Sequence, residues 1–483
     1  MQNAKVSLRG SKKSRVDHSR VPLDMLPNDP HSDYYNACYM LDQKDQIAFI
    51  ASQGPNRAST NDFWRMLWKE DISIVVMVTN LIENGKDRCA QYWPQEQGMN
   101  KTWGLITVTW TGTQTYANYL IREMTMVQDE EQRTITQYHF TTWPDMGVPS
   151  EPTALISLVR KVKVQNKGKK TPILVHCSAG VGRTGTFIAL YCLMDNLKSE
   201  KYINVYEFVE KMRKNRVNMV QTPVQYQFLC EALVEVYLTS HTEMPSGLLQ
   251  NFDLTSKRDV LIEEFQLLNK LCANINLVSS VGQAPENASK NRFPDHYPPD
   301  QNRPFVSSDR NFGENDYINA TFVNTCAKKD AIIIAQSPLP NTIEAFWRLV
   351  CDWRVPLIVM LNKLDRKDAK TCSVDQFQLL SWPDHGSVTG VVEMLEVTKL
   401  TLDKYETEPA IIHCIDGVGR SGAVVTVLSE IERVRRDGKV DIFQTARQLR
   451  SSNSLIMAEQ EHYLACYQIL QAFLENAPEY GNI

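Results

Sequence analysis

The sequence predicts an α/β protein built from two tandem copies of one domain, the second lacking part of its sheet. Three observations carry this. The phrase HCSAGVGRTG at residues 176–185 returns as HCIDGVGRSG at 413–422. Three more landmarks return in the same order: DHSRV (17–21) as DQNRPF (300–305), NDFWRML (61–67) as EAFWRLV (344–350), and TTWPDMG (141–147) as LSWPDHG (380–386). The first ten-residue phrase also follows the apolar run ILV and precedes the helical run TFIALYCLMDNL, as a buried strand feeding a helix does.

The chain has 483 residues, too many for one ordinary core. The repeat period is that of a whole domain, since solenoid units run about 20–50 residues. The offsets locate the missing block. Asp17 to Asp300 and Trp64 to Trp347 are each 283 residues apart, whereas Trp143 to Trp382 is 239 and Cys177 to Cys414 is 237. The register slips by 44 between the Trp-Arg and Trp-Pro-Asp landmarks. In the first copy that interval holds TWGLITVTW, YANYLIREMTMV and RTITQYHF, which are rich in β-branched and aromatic residues and read as strands. VDQFQLLSW resembles the last of them, so the second copy is expected to lack about two strands and the loop before them. Such a loss exposes sheet edges.

The predicted domains are residues 1–242 and 257–476. The Pro-, Gly- and Ser-bearing stretch 243–256 reads as a linker. KRDVLIEEFQLLNKLCANI after it has helical apolar spacing at Val260, Phe265, Leu268 and Leu271, and is expected to open the second domain.

Composition excludes several classes. Apolar content of 43%, charged content of 22% and a net charge of −4 are those of a globular protein without a nucleic-acid footprint. No apolar run approaches the roughly 20 residues of a membrane span. The basic N-terminus lacks an apolar core behind it, so it is not a secretory signal; it reads as a solvated tail, with a weak contact to an anionic membrane as the alternative. Eleven cysteines are scattered, with no C-x-x-C pair and no His cluster at zinc spacing. A disulfide framework and a structural zinc are therefore not expected, and a reducing, cytoplasmic setting is.

The first phrase carries the chemistry. A strand, a Gly-rich loop and a helix N-terminus form an anion cradle lined by backbone N–H groups and favoured by the helix dipole. Gly180, Gly182 and Gly185 permit the tight path. A cysteine in that field, here Cys177, is expected as a thiolate, its pKa drawn down from about 8.5 by roughly two units or more. Arg183 suits bidentate binding of phosphate oxygens. A cysteine beside a phosphate cradle implies a phosphocysteine intermediate. The bland alternative is a buried cysteine at a turn. The combined pattern H-C-x5-R-T after an apolar strand outweighs it.

VHCSAGVGRTG resembles the signature of protein tyrosine phosphatases, and two such domains in tandem resemble the cytoplasmic region of the receptor-type members. The resemblance spans nearly all of residues 15–475. It implies twisted, mixed sheets flanked by helices, and hydrolysis of phosphotyrosine in proteins without cofactor or metal. By it, Cys177 is the nucleophile and Arg183 binds phosphate with the loop residues Ser178, Ala179, Gly180, Val181 and Gly182. Asp145, in TTWPDMG, is the general acid that protonates a phenol of pKa near 10. Gln221 orients the hydrolytic water with Gln225 beside it. Glu83, in LIENGKDRCAQYWP, pairs with the arginine. Thr184 bonds the sulfur, and His176 orders the loop. The family commonly has Lys where Arg88 stands, so no role is carried over there. A Lys-Asn-Arg-Tyr stretch whose Tyr stacks on substrate has a remnant, KNRF (290–293), in the second copy only. The matching position in the first copy is Gly10, so the first domain is expected to be shortened at its N-terminus.

The second copy keeps Cys414, Asp384 and Arg420, yet places Asp416 where Ala179 stands. A carboxylate there opposes both phosphate and thiolate. Ala458 and His462 replace Gln221 and Gln225, and no counterpart of Glu83 is expected. This domain reads as weak or inactive, and regulatory. Expected partners are tyrosine-phosphorylated proteins, and contact between the two domains within or between chains. Membrane association follows if the chain derives from a receptor-type precursor. Two rival readings remain: a phosphoprotein-binding module without turnover, and a phosphatase for lipid or phosphoserine.

Overall fold

A computed structural model describes residues 17–145, 147–199, 202–307, 315–362, 375–378, 394–395, 398–399 and 407–476. They divide into two compact units with the boundary between Leu238 and Thr239.

The first unit is a nine-stranded mixed sheet. Its strands are β1 (Arg20–Pro22), β2 (Tyr34–Leu41), β3 (Ile47–Gln53), β4 (Ile74–Met77), β7 (Asn100–Trp103), β8 (Ile106–Thr115), β9 (Tyr119–Gln128), β10 (Glu131–Phe140) and β11 (Ile173–Cys177); β5 (Ile82–Glu83) and β6 (Lys86–Asp87) form a separate ribbon. The order is β1-β2-β3-β11-β4-β10-β9-β8-β7. The middle strands β3, β11, β4 and β10 run parallel, and the flanks are antiparallel. β4 and β11 are buried at every position, which is why they read as unbroken apolar runs. The helices are α1 (Thr60–Lys69), α2 (Thr153–Gln165), α3 (Gly182–Ser199), α4 (Val205–Asn215) and α5 (Pro223–Leu238).

The second unit has a five-stranded sheet, β13-β14-β17-β15-β16, from β13 (Ala320–Val323), β14 (Ile332–Gln336), β15 (Leu357–Met360), β16 (Asp375–Gln378) and β17 (Ala410–Cys414). A two-stranded ribbon pairs β12 (Met244–Pro245) with β18 (Lys439–Val440). Its helices are α6 (Ser246–Gln250), α7 (Arg258–Cys272), α8 (Ser280–Gln283), α9 (Ile343–Asp352), α10 (Gly419–Asp437), α11 (Ile442–Arg450) and α12 (Gln460–Asn476).

The duplication is visible strand by strand. β13, β14, β17, β15 and β16 occupy the places of β2, β3, β11, β4 and β10. Side-chain contacts repeat too: Arg20 Nη2 meets Asp33 Oδ2 at 3.0 Å, and Arg303 Nη2 meets Asp316 Oδ1 at 3.1 Å. The remnant VDQFQLLSW supplies β16, parallel to β15 as β10 is to β4. Counterparts of β7, β8 and β9 are absent among the described residues. That is three strands, not two, because TWGLITVTW folds as a hairpin: Gly104, at φ +61°, turns β7 into β8.

Residues 243–256, expected as a linker, belong to the second unit. Met244 pairs with Val440, Ser246 N–H donates to Gly438 O at 2.9 Å, and Leu249 is fully buried in that unit's core. The Pro and Gly there punctuate a strand and a helix, so the stretch is not free chain. α7 forms as expected, but its buried face is Leu261, Phe265, Leu268 and Cys272, while Val260 is exposed. No described helix is long and apolar enough to cross a membrane. The position of Gly10 and the acid-loop residue Asp384 lie outside the described residues.

Candidate active site

β11 delivers Cys177 to the C-terminal edge of the central parallel strands, and α3 starts five residues later. The helix begins earlier than its apolar run implies, so Arg183 sits in its first turn. The four loop residues between have their carbonyls turned outward. Ser178 O accepts from Gly54 N–H at 3.0 Å, and Val181 O accepts from Gly185 N–H at 2.9 Å and Val220 N–H at 3.3 Å. Ala179 O and Gly180 O accept from Arg216 Nη2 and Nε at 3.1 and 2.7 Å. A trans peptide points its N–H opposite to its C=O, so these anchors turn the loop amides toward the cavity. Gly180 N–H donates to Cys177 Sγ at 3.2 Å. Gly180 has φ +71°, and a Cβ there would overlap the Ser52 carbonyl, so glycine is required.

Arg216 escaped the sequence reading. It is buried, and no spacing rule marks it in KMRKNR. Only its reach to two loop carbonyls reveals it.

Arg183 is held in a fork. Its Nη1 and Nη2 meet Glu83 Oε1 and Oε2 at 2.6 and 3.0 Å, and Nη2 also donates to Pro144 O at 3.1 Å. Glu83 is buried. Burial pushes its carboxyl up, but Arg183, the Asn80 amide and the Thr79 hydroxyl outweigh that and hold it below its ordinary value. Arg88 Nε stands 3.7 Å from Glu83 Oε2. The Pro144 contact ties the Trp143–Asp145 segment to Arg183 at the start of α3, with partly buried Asp145 next in the chain and buried Trp143 packed against Phe228. Gln225 is buried; its Oε1 accepts from Gln221 N–H at 2.9 Å, while Gln221 is itself exposed. Thr184 Oγ1 is buried and makes no hydrogen bond, so the expected bond to the sulfur is not formed. His176 is fully buried, with Nε2 2.9 Å from Tyr92 Oη and Nδ1 3.2 Å from Cys177 O. Burial lowers its pKa to about 4, so it is a neutral scaffold for the loop, not a cation beside the sulfur.

The second unit repeats this frame around a different occupant. Asp416 Oδ1 accepts from Val418 N–H at 3.0 Å, Gly419 N–H at 3.1 Å and the Cys414 thiol at 3.0 Å. The carboxylate thus fills the cradle with the chain's own anion. Burial, then the Asp416 charge and hydrogen bond, push the Cys414 thiol up to about 12. Asn453 stands at the position of Arg216 and donates to Thr321 Oγ1, at 3.3 Å. Arg420 Nη1 lies 3.4 Å from Leu361 O.

Residues 8–235, 287–374 and 365–472 match the protein-tyrosine phosphatase family. The chain belongs to that family. The family match to the second domain breaks in two around 365–374, inside the interval where the landmark register slips. Among similar proteins, receptor-type tyrosine-protein phosphatase alpha of Homo sapiens is 33% identical over 526 residues, covering 96% of this chain and 65% of the relative. Receptor-type tyrosine-protein phosphatase epsilon of Rattus norvegicus is 33% identical over 533 residues, covering 96% and 75%. The F form of Bos taurus is 33% identical over 522 residues, with 27% of its length covered. The chain thus spans just under two thirds of the alpha relative.

The Glu83 fork makes a measurable claim about this family member. Glu83→Gln keeps the shape but replaces a charged, two-point clamp with a neutral one, and it is expected to weaken binding of inorganic vanadate roughly tenfold. Calorimetric titration of the purified chain checks this; unchanged affinity contradicts the clamp.

Proposed function

We propose that the first unit hydrolyses phosphotyrosine in proteins through a phosphocysteine, and that the second is a catalytically silent regulatory or binding domain. One observation carries the reading: Cys177 stands under a loop with its carbonyls turned outward, beside an arginine clamped by Glu83 and tied to the Asp145 loop.

The chemistry follows from these groups. Substrate phosphate takes the loop amides and the Arg183 guanidinium. The Cys177 sulfur attacks phosphorus, the bond from phosphorus to the tyrosyl oxygen breaks, and the Asp145 carboxyl gives that oxygen its proton. A water oriented by Gln221 then attacks phosphorus, Asp145 takes its proton, and sulfur departs. Thr184, buried and unbonded, is the donor for that departing sulfur. Tyrosine-phosphorylated proteins are the partners. Attachment to a membrane through a longer receptor-type precursor fits the named relatives. The plugged cradle favours the silent reading of the second unit.

The test compares phosphotyrosyl and phosphoseryl peptides of one sequence. Phosphate release is expected from the first at least 100-fold faster, because a seryl phosphate hangs on a shorter arm and Cys177 is buried beneath its loop. Release from neither, or from both equally, overturns the reading.

A further inference from the structure

The loop and its arginine clamp are joined behind the site by a buried chain of hydrogen bonds with one cation at its centre. Arg122, on β9, is buried among β10 and two indoles; its guanidinium lies 4.4 Å from the Trp93 ring and 5.5 Å from the Trp110 ring. Its Nη1 donates to Gln137 Oε1 at 2.8 Å and faces His139 Nδ1 at 3.2 Å.

Both arms lead to the site. On one, Gln137 Nε2 donates to Tyr92 Oη at 2.6 Å, Tyr92 Oη meets His176 Nε2 at 2.9 Å, and His176 Nδ1 meets the Cys177 carbonyl at 3.2 Å. On the other, His139 Nε2 meets Thr79 O at 2.9 Å, and the Thr79 hydroxyl donates to Glu83 Oε1 at 3.0 Å. Glu83 holds Arg183.

An arginine can only donate, so it sets the direction of the bonds that leave it through Gln137 and His139; the Glu83 carboxylate, which only accepts, directs the Thr79 hydroxyl. Gln137 must present oxygen to Arg122 and therefore nitrogen to Tyr92. Tyr92 Oη, already accepting, has Met77 Sδ at 3.8 Å and His176 Nε2 at 2.9 Å as acceptors, and the nearer and stronger one, the imidazole, takes its proton. His176 then carries its proton on Nδ1 and donates to Cys177 O. On the other arm His139 must accept at Nδ1, so its proton sits on Nε2 and goes to Thr79 O. The carbonyls at the two ends accept only, and they demand the same two tautomers. Burial keeps both imidazoles neutral, near 4 for His176 and, with the Arg122 charge adding to burial, near 3 for His139. Each ring thus has a single proton to place.

The second unit supplies an internal contrast. Gln376 and Gln378 stand at the positions of Gln137 and His139, and Gln378 Nε2 donates to Asn362 O at 3.0 Å as His139 does to Thr79 O. The strand that would carry the cation has no counterpart among the described residues. His413, at the position of His176, turns Nδ1 to Ser337 Oγ at 3.2 Å.

We propose that Arg122 is a positioning residue that, by fixing the polarity of both arms, holds the Cys177 backbone and the Glu83–Arg183 fork in one mutual geometry. This rests on the phosphatase reading of the first unit.

The first experiment is nitrogen-15 NMR of the full chain labelled at histidine, with the His176 signal found by its loss in His176→Gln. His176 is expected as the Nδ1–H tautomer. Arg122→Met frees the Gln137 amide to turn its oxygen to Tyr92, which then competes with the 3.2 Å bond to the Cys177 carbonyl for the His176 proton; it is expected to populate the Nε2–H form of His176 and lower kcat on a phosphotyrosyl peptide about tenfold, with KM within threefold, as a small misplacement of reacting groups does. Tyr92→Phe keeps the ring and breaks one arm without removing the buried charge; it is expected to lower kcat similarly while the chain stays folded. A wild-type His176 protonated on Nε2 overturns the proposal, as does unchanged kcat in Tyr92→Phe. A wild-type chain that shows the Nδ1–H tautomer but releases no phosphate defeats the phosphatase reading instead.

Discussion

Cys177→Ser is expected to lower turnover of a small aryl phosphate by roughly 10⁴-fold or more, since removing a nucleophile removes the covalent path and the residual rate comes from binding alone. Cys414→Ser is expected to leave turnover within twofold. The contrast is physical. Cys177 accepts a hydrogen bond from Gly180 N–H, whereas the Cys414 thiol donates one to Asp416. One sulfur is set to give electrons and the other is engaged as an acid. Steady-state assays of both variants, with folding checked by circular dichroism, decide it. Equal losses in the two variants would place chemistry in both units.

Asp416→Ala is expected to speed alkylation of Cys414 by iodoacetamide at pH 7 about 100-fold. With its pKa pushed up to about 12, the thiol is only about 10⁻⁵ ionised at that pH. Loss of the carboxylate removes a repelling charge and an acceptor, so the pKa falls and the thiolate fraction rises. Burial, the larger cause, stays in the variant, so the pKa falls only part of the way towards about 8.5; a fall of roughly two to three units raises that fraction about 10²- to 10³-fold, and the lower intrinsic nucleophilicity of a less basic thiolate takes back part of the gain. The variant also frees the Val418 and Gly419 amides, so vanadate is expected to protect Cys414 in it but not in the wild type. Mass spectrometry of the alkylated peptide, with and without vanadate, reads both effects. Unchanged alkylation would mean that burial alone, at 1% exposure, silences the sulfur.

Much of this site was written locally. The run ILV, the glycines and the cysteine lie within thirteen residues, and each has its structural use: a strand buried on both faces, a tight turn with positive φ at Gly180, and a proposed nucleophile at the strand's end. The slip in landmark spacing announced the lost strands, because deleting residues from a duplicated domain must show as an offset. Among the described residues three strands have no counterpart, because a single glycine folds one apolar run into two strands.

What sequence alone determined is the order of parts and the chemical types at the loop. Tertiary structure decided the rest. Arg216 lies 36 residues from one loop carbonyl it holds and 37 from the other. Arg122 lies 17 residues before His139 in the chain and acts on a loop 55 further on than itself. Such pairings have no periodicity, because they arise where separate strands are brought side by side. The Pro- and Gly-bearing stretch 243–256 was read as loose chain for the same reason. Its strand partner, β18, comes almost 200 residues later, and only packing reveals that a turn-rich segment has something to bind.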